Sequence, residues 1–300
     1  MNGLSEIQLQ SGVRLVYEDA GPAQAPCILM ISGLGQQLVD WPDSLMTGLQ
    51  SRGFRTLRFD NRDCGLSSRI DSASVNVRTE VMRQMVGLPV RAPYNLTDMA
   101  DDAAGLLDAL NIESAHVVGA SMGGMIAQLV AAGRAHRTRS LTSIMSSSGA
   151  TRFRFHFTPA VRALMTPPPR QASQAQLLDH LERIWTLIGS PGLQGPRQAL
   201  RARLQASLER AHDPAATARQ LLAIMANGDR RPLLKGIQVP SLVIHGEVDP
   251  LVPIAAGRDT AAHIPGARFI GVAGMGHDFP EPLIAGLVND ITRHCQQADA

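Results

Sequence analysis

The sequence predicts an α/β fold built around a parallel sheet. Short apolar runs alternate with stretches whose apolar residues recur at helical spacing. Those runs stop at glycine-rich or polar loops, where a parallel strand would end. One stretch organises the rest: Val117-Val118-Gly119-Ala120-Ser121-Met122-Gly123-Gly124-Met125. It sets a Gly-x-Ser-x-Gly pattern between an apolar run, Ala115 to Val118, and the helical pattern Met125 to Ala132. Strand, sharp turn and helix is the context that gives this pattern meaning. The serine of such a turn has a strained backbone, so its flanks need residues without bulk, and Gly119 and Gly123 meet that demand. Ser121 would stand at a strand's carboxyl end and a helix's amino end, where N–H groups favour a developing anion.

In chain order, Ile7, Leu9, Val13, Leu15 and Tyr17 alternate about Ser11-Gly12 and predict a β-hairpin. Cys27 to Ile31 is a continuous apolar run, as in a strand buried on both faces, and it ends at Ser32-Gly33-Leu34-Gly35. Trp41-Pro42 opens a helix with Pro42 suited to its first turn, Leu45, Met46 and Leu49 form its apolar face, and Gly53 closes it. Phe54 to Phe59 predicts a strand that runs into Asp60-Asn61-Arg62-Asp63-Cys64-Gly65-Leu66-Ser67. In residues 70–95 only one short helix, with Val81, Met82, Met85 and Val86 on it, can be read. Thr97-Asp98 starts a clear helix with acids in its first turn and Met99, Ala103, Leu106, Leu107 and Leu110 at helical spacing. Ser140 to Met145 is a further strand.

The pattern changes near Ala150. From about 151 to 232 no strand is legible. Three helical faces are: one of Leu177, Leu178, Leu181, Ile184, Trp185 and Ile188, one of Leu200, Leu204 and Leu208, and one with Leu221, Leu222 and Met225. Pro167-Pro168-Pro169 and Pro191-Gly192 punctuate them. Strands return at Val239 to Ile244 and Arg268 to Val272, and a last helix carries Leu283, Ile284, Leu287, Val288 and Ile291. The expected organisation is a core of residues 1–150 and 233–300 interrupted by a helical insertion over 151–232.

Three hundred residues suffice for one large domain with an insertion. Apolar residues at 44% and charged residues at 18% are a soluble balance, and a net charge of +2 without a basic block argues against nucleic acid. Cys27, Cys64 and Cys295 are too few and odd in number for a disulfide framework. No apolar stretch approaches the roughly 18 residues of a membrane span. The first ten residues lack a secretory pattern, so a cytoplasmic location is expected. A homodimer is the possible assembly.

Three polar residues fall just past three strands: Ser121, Asp249 in His245-Gly246-Glu247-Val248-Asp249-Pro250, and His277 in Gly274-Met275-Gly276-His277. Strand ends of a parallel sheet lie along one edge, so residues distant in sequence converge there. The chemistry demands these types. A hydroxyl needs a neutral imidazole to take its proton, and a carboxylate holds that imidazole in one tautomer and stabilises its cation. Activity should then fall as His277 becomes protonated between roughly pH 8 and 5. Two backbone donors are expected for an oxyanion: Met122 N–H after the nucleophile, and Leu34 N–H in the loop Ser32 to Gly35. Competing residues are weaker. His116 sits at the wrong end of its strand, His245, His263 and His294 read as structural, and His156 at the entry to the insertion could line a pocket. Asp229 and Glu247 compete with Asp249 as the acid, Ser146, Ser147 and Ser148 lack a glycine elbow, and Cys64 lacks a nucleophile's frame.

With Gly119-Ala120-Ser121-Met122-Gly123-Gly124, His245 to Pro250 and Gly276-His277 in place, the chain resembles the α/β-hydrolase superfamily over nearly its whole length. The order serine, acid, histidine is the one that family uses. The resemblance implies a mostly parallel eight-stranded sheet with an antiparallel second strand, flanked by helices, and a helical cap inserted after the sixth strand. Gly33-Leu34-Gly35 with Trp41-Pro42, and Arg58 to Ser67, resemble aclacinomycin methylesterase-type enzymes within it. Many relatives have His-Gly where this chain has Ser32-Gly33, so Ser32 is expected to take over that histidine's hydrogen bonds.

The expected activity is a serine esterase acting on a small or medium, largely apolar ester through an acyl-enzyme, without cofactor or metal. Serine at the elbow argues against haloalkane dehalogenase or epoxide hydrolase chemistry, which needs a carboxylate there. An amidase or proline iminopeptidase-type peptidase is the enzymatic alternative, and would need acids in the cap to anchor an amine. Asp179, Glu182, Glu209 and Asp213 are read instead as solvated faces. A ligand-binding receptor on the same fold is the non-enzymatic alternative, which a broken triad would favour.

Overall fold

The computed structural model describes residues 3–72, 76–153, 158–166, 168 and 171–300. His156, Pro167 and Pro169 lie outside the described residues. The first two strands, β1 (Leu4–Gln8) and β2 (Arg14–Ala20), form an antiparallel hairpin. Its turn closes through Leu9 N–H donating to Val13 O at 2.8 Å, with Gly12 in the left-handed region at φ +86°. Then follow β3 (Cys27–Ile31), α1 (Asp43–Ser51), β4 (Arg55–Phe59), α2 (Val77–Met85), α3 (Leu96–Ala109), β5 (Ala115–Ala120), α4 (Met122–Gly133) and β6 (Thr138–Ile144). Among the described residues five helices come next: α5 (Pro159–Met165), α6 (Gln174–Ile188), α7 (Arg197–Arg210), α8 (Pro214–Asn227) and α9 (Arg231–Leu234). The chain ends with β7 (Ser241–Gly246), α10 (Ile254–His263), β8 (Arg268–Val272) and α11 (Glu281–Asp299).

The eight strands form one sheet in the order β1-β2-β4-β3-β5-β6-β7-β8. β2 is antiparallel to both neighbours, and every pairing from β4 to β8 is parallel. Central strands are buried on both faces because helices cover both. Alternation along each strand sends successive side chains to opposite layers. Leu29, Ile31 and Val117 pack in one layer with residues of α3 and α4, while Ile28, Met30 and Val118 pack in the other with residues of α1 and α11. Each fully buried Leu, Ile or Val contributes roughly 1.5–3 kcal/mol. The sheet edge that gathers the strand ends is therefore a rigid base.

Local chemistry sets the helix ends. Asn95 caps α3 by accepting from Thr97 N–H at 2.6 Å, while Asp98 accepts from Asn95 N–H at 2.7 Å. Pro42 does not lie in the first turn of α1 but caps it from outside, with ψ 132°. The helix read in residues 70–95 exists as α2, but it does not bury its methionines. Met82 and Met85 are exposed, and the buried side chain is Glu80, which accepts from Arg91 N–H at 2.7 Å.

Among the described residues no strand lies between β6 and β7. Ala223 of α8 and Leu234 of α9 join the same hydrophobic layer as α3 and α4. Ala160 of α5 with Ile184 and Ile188 of α6 instead form a small separate cluster. An open cleft of about 1200 Å³ separates α5, α6 and α7 from the segment around Phe279. Glu182 departs from the solvated reading: it is buried and pairs with Arg197 and, at 2.5 Å, with Arg201.

Candidate active site

Ser121 occupies the turn between β5 and α4 with φ 55° and ψ −118°. A non-glycine residue there costs on the order of 1–3 kcal/mol and persists only where the surroundings over-determine it. They do so here. A Cβ on Gly119 would lie 2.1 Å from Gly123 O, and one on Gly123 would lie 1.9 Å from Ile31 O. Ser121 N–H donates to Ile144 O at 2.9 Å, and its carbonyl accepts from Ser146 Oγ at 2.7 Å and Met125 N–H at 3.2 Å. Ser146 thus supports the elbow. A Cβ on Gly124 would meet Ser146 Cβ at 2.6 Å, so close packing of α4 also needs that glycine.

His277 Nε2 lies 3.0 Å from Ser121 Oγ, and His277 Nδ1 lies 2.7 Å from Asp249 Oδ2. With Nδ1–H donating to the carboxylate, Nε2 is left as the acceptor that faces the hydroxyl. Asp249 Oδ1 accepts from Leu251 N–H at 2.9 Å and Val252 N–H at 2.8 Å. Burial opposes the ionisation of Asp249. The charge of His277 and hydrogen bonds from His245, His277 and Val252 outweigh it and hold the carboxyl well below the usual carboxylate range. The chain from Asp249 through His277 to Ser121 can therefore carry a proton from the hydroxyl to the ring while the acid stays ionised.

The loop presenting His277 is held from α6. His277 N–H donates to Ile188 O at 2.7 Å. Ser190 Oγ accepts from Gly276 N–H at 2.8 Å and donates to Asp278 Oδ1 at 2.5 Å. A Cβ on Gly276 would lie 2.6 Å from the Gly189 carbonyl carbon, so two backbones touch there. The glycine serves close approach.

The loop Ser32 to Gly35 runs beside Ser121, and a Cβ on Gly33 would lie 3.4 Å from Ser121 Cβ. Gly33 N–H donates to Gln36 Oε1 at 3.0 Å and Gly35 N–H donates to Gln220 Oε1 at 2.9 Å. Among the described residues, Leu34 N–H between them meets no acceptor. Ser32 does not take over a histidine's hydrogen bonds: its buried hydroxyl has no partner among the described residues. The loop is held instead by Asn61 Nδ2, which donates to Ser32 O at 3.1 Å, and by the two glutamines.

The remaining candidates are placed elsewhere. His116 is buried beside Ser140 Oγ at 2.9 Å, with burial pushing its pKa down. His263 and His294 bond the carbonyls of Asp259 and Leu141. His245 Nε2 donates to Val252 O at 2.9 Å, behind Asp249. Glu247 is exposed and Asp229 pairs with Arg231. Cys64 is buried, its thiol pKa pushed far up by burial, and it donates to Gln36 O. All three cysteines are free. Among the described residues no cluster of His, Cys, Asp and Glu could hold a metal, and no helix is long and apolar enough to cross a membrane.

Sequence reasoning did not find Gln220, Ser190 or the acids of the loop after β4. Asp60 accepts from Leu38 N–H at 2.8 Å and Leu66 N–H at 2.9 Å, and pairs with Arg210 at 2.7 Å. Asp63 takes Arg219 through both carboxylate oxygens, at 2.7 and 2.8 Å, together with Tyr94 OH at 2.8 Å.

An eight-stranded, mostly parallel sheet, with a serine on a strained elbow and a histidine and an acid at later strand ends, defines a hydrolase-type α/β fold. A family model described as the alpha/beta hydrolase fold matches residues 26–281, and the chain belongs to that family. Among curated proteins it is similar to rhodomycin D methylesterase DauP of Streptomyces sp. (strain C5), 29% identical over 287 residues covering 89% of this chain and 90% of that one. It is also similar to 3-oxoadipate enol-lactonase 1 of Acinetobacter baylyi, at 27% identity over 85% of this chain and 83% of that one. Among solved structures, the enol-lactonase of Burkholderia xenovorans LB400 superposes with a TM-score of 0.74, at 23% identity over 97% of this chain and 100% of that one. A meta-cleavage product hydrolase of Pseudomonas fluorescens superposes with a TM-score of 0.77, at 19% identity and 98% coverage of both chains.

Proposed function

We propose that this chain is a serine esterase that cleaves a carboxylic ester of a small or medium, largely apolar substrate. The observation that carries this reading is the continuous hydrogen-bonded chain Ser121–His277–Asp249 ending on a strained, partly exposed serine. Ser121 Oγ attacks the ester carbonyl as its proton passes to His277 Nε2. Asp249 keeps the ring oriented and balances the imidazolium. Leu34 N–H and Met122 N–H receive the oxyanion, and losing one such donor commonly costs about 100- to 1000-fold in turnover. The alcohol leaves with the proton from His277, and water, activated by the same ring, releases the acid.

The names of the relatives, a methylesterase and an enol-lactonase, support an ester or lactone carbonyl as the target. Residues 151–232 act as a cap over the core formed by 1–150 and 233–300, which their helical make-up and place after β6 support. A cytoplasmic setting fits three cysteines that are all free and buried. The amidase alternative finds less support. Among the described residues Glu182 is engaged by Arg197 and Arg201, and Asp213 caps α8 by accepting from Ala215 and Ala216 N–H at 3.0 Å.

The test joins a fluorophosphonate probe, read by intact-protein mass spectrometry, with turnover of short-chain p-nitrophenyl esters. The expected result is one adduct at Ser121 with measurable turnover, both lost in Ser121→Ala at unchanged secondary structure. Turnover retained in Ser121→Ala, or folded wild-type protein that neither labels nor turns over, overturns the reading.

A further inference from the structure

We propose that Gln220, on α8, is a positioning residue for the oxyanion site, so that the second oxyanion donor is in place only while α8 is seated on the core. The inference rests on the esterase reading and on Leu34 N–H as that donor.

The oxyanion loop has three consecutive N–H groups, from Gly33 to Gly35, and two of them are taken. Gly33 N–H is held locally by Gln36 Oε1, but Gly35 N–H is held by a side chain 185 positions away, Gln220 Oε1 at 2.9 Å. The Gln220 amide has one orientation that satisfies its surroundings, because its Nε2 donates to Arg62 O at 2.8 Å. Both ends are therefore fixed, and the side chain is fully buried. An amide locked at both ends is a rigid spacer between the loop after β4 and the loop after β3.

Gly35 is in the left-handed region at φ +66°, and a Cβ there would lie 3.2 Å from Thr217 Cγ2 of the same helix. Its peptide thus lies directly under α8. The direction of Leu34 N–H depends on the peptides on either side, and the one that follows is set by Gln220. A second bond set ties the chain two residues on to the end of α7, the helix before α8. Gln37 Nε2 donates to Ser207 O at 2.7 Å and to Ala211 O at 3.1 Å, and Gln37 Oε1 accepts from Arg210 at 2.6 Å. The insertion grips the oxyanion loop at residues 35 and 37, on either side of Gln36. Without Gln220, Gly35 N–H loses its acceptor and the left-handed glycine is free to turn its peptide. The Leu34 donor would then no longer be held in one direction.

The test compares Gln220→Met with Arg219→Met in the full chain. Arg219 anchors the same helix to Asp63 but does not touch the oxyanion loop. Steady-state kinetics on p-nitrophenyl acetate are measured beside inhibition by an aryl trifluoromethyl ketone. Ser121 Oγ adds to the ketone carbon and leaves an oxyanion in the donor site. For Gln220→Met we expect kcat to fall about 10- to 100-fold, since the donor is misaligned rather than removed. KM should stay within about threefold, and ketone affinity should weaken by the same factor as kcat. Arg219→Met is expected to melt at a lower temperature yet keep ketone affinity within about threefold. Equal effects of the two variants on kcat and ketone affinity would show that Gln220 only anchors the helix, and would overturn the inference. So would wild-type kcat and ketone affinity in folded Gln220→Met. If Gln220→Met does not fold, Gln220→Asn carries the test: its shorter amide cannot span Gly35 N–H and Arg62 O, so the same loss is expected and unchanged values are fatal. Wild-type protein that neither turns over ester nor labels at Ser121 would instead defeat the esterase reading itself.

Discussion

Helices α6 and α8 both lie between β6 and β7 but are held to the sheet and its flanking helices by different forces. α8 places Ala223 in the main hydrophobic layer and buries Ala216, Gln220 and Leu222. It is also pinned by the Asp63–Arg219 pair, whose carboxylate is fully buried. α6 places Ile184 and Ile188 in a small separate cluster with Ala160, against which Ala163, Trp185 and Leu251 pack, beside a cleft of about 1200 Å³. Its firm attachment comes after its last turn, where Ile188 O and Ser190 meet the His277 loop. One helix joins the main hydrophobic layer and reaches the Ser32–Gly35 loop. The other packs in a small cluster of its own and meets the His277 loop at its end. One stretch of helices can thus join the main layer at one end and pack in a small cluster at the other, and opening is expected to begin where fewer apolar contacts resist it.

The largest test of this contrast is Asp63→Asn. Removing one partner of a buried ion pair leaves the other charge uncompensated, and about 3–5 kcal/mol of stability should be lost in denaturant unfolding. A loss below 1 kcal/mol would mean that α8 does not depend on this anchor. Next come matched core truncations. Leu222→Ala in α8, where Leu222 is fully buried, should cost about 2–5 kcal/mol. Ile184→Ala in α6, at 7% exposure in a small cluster bordering the open cleft, should cost about 2 kcal/mol or less, because its site can collapse. Equal losses would erase the distinction between the two helices.

The contrast also separates what the sequence makes legible from what it hides. Ser121, Asp249 and His277 are legible because each follows an apolar run and carries a residue type the chemistry needs. The elbow is legible because Gly119 and Gly123 answer a local steric demand, seen in the 2.1 and 1.9 Å approaches. The faces of α6 and α8 are legible from spacing. What holds those faces down is not. Twenty-seven of the 28 cations are arginines, with Lys235 the exception, so no pattern says that Arg210 meets Asp60 or Arg219 meets Asp63. Gln220 has no motif at all, since its role arises from contacts 185 and 158 positions distant. Which face of α2 is buried is hidden for a related reason. Their spacing is helical, but the acceptor Arg91 N–H needs turns Glu80 inward and leaves Met82 and Met85 outside.

A smaller effect is expected at the histidine end. Ser190→Ala removes the hydroxyl that links Gly276 N–H to Asp278, without touching Ser121 or His277. Turnover of a p-nitrophenyl ester should fall about tenfold, equivalent to about 1.4 kcal/mol in the barrier. KM should change little, because the loop's aim is altered while the pocket is kept. Unchanged kcat would show that Ile188 O suffices to set the loop.

The smallest effect is a pH-dependent one in α6. The hydrogen bond from Arg197 holds the carboxyl of Glu182 below its ordinary range against burial, and Arg201 adds to it. A carboxyl depressed on folding adds stability above its unfolded pKa, and that stability is lost as pH falls through the folded value. Arg197 is largely exposed, so solvent screens the pair and its share is modest. Glu182→Gln should therefore lower the melting temperature at neutral pH by less than Ile184→Ala does, and the gap from wild type should close as the solution is acidified below the range where Glu182 ionises. Hydrogen exchange would locate the change in α6 and α7, with α8 unaltered. A gap that persists at acid pH would show that Glu182 acts through packing rather than charge. Faster exchange in α8 as well would show that α6 and α8 open together and are not held differently.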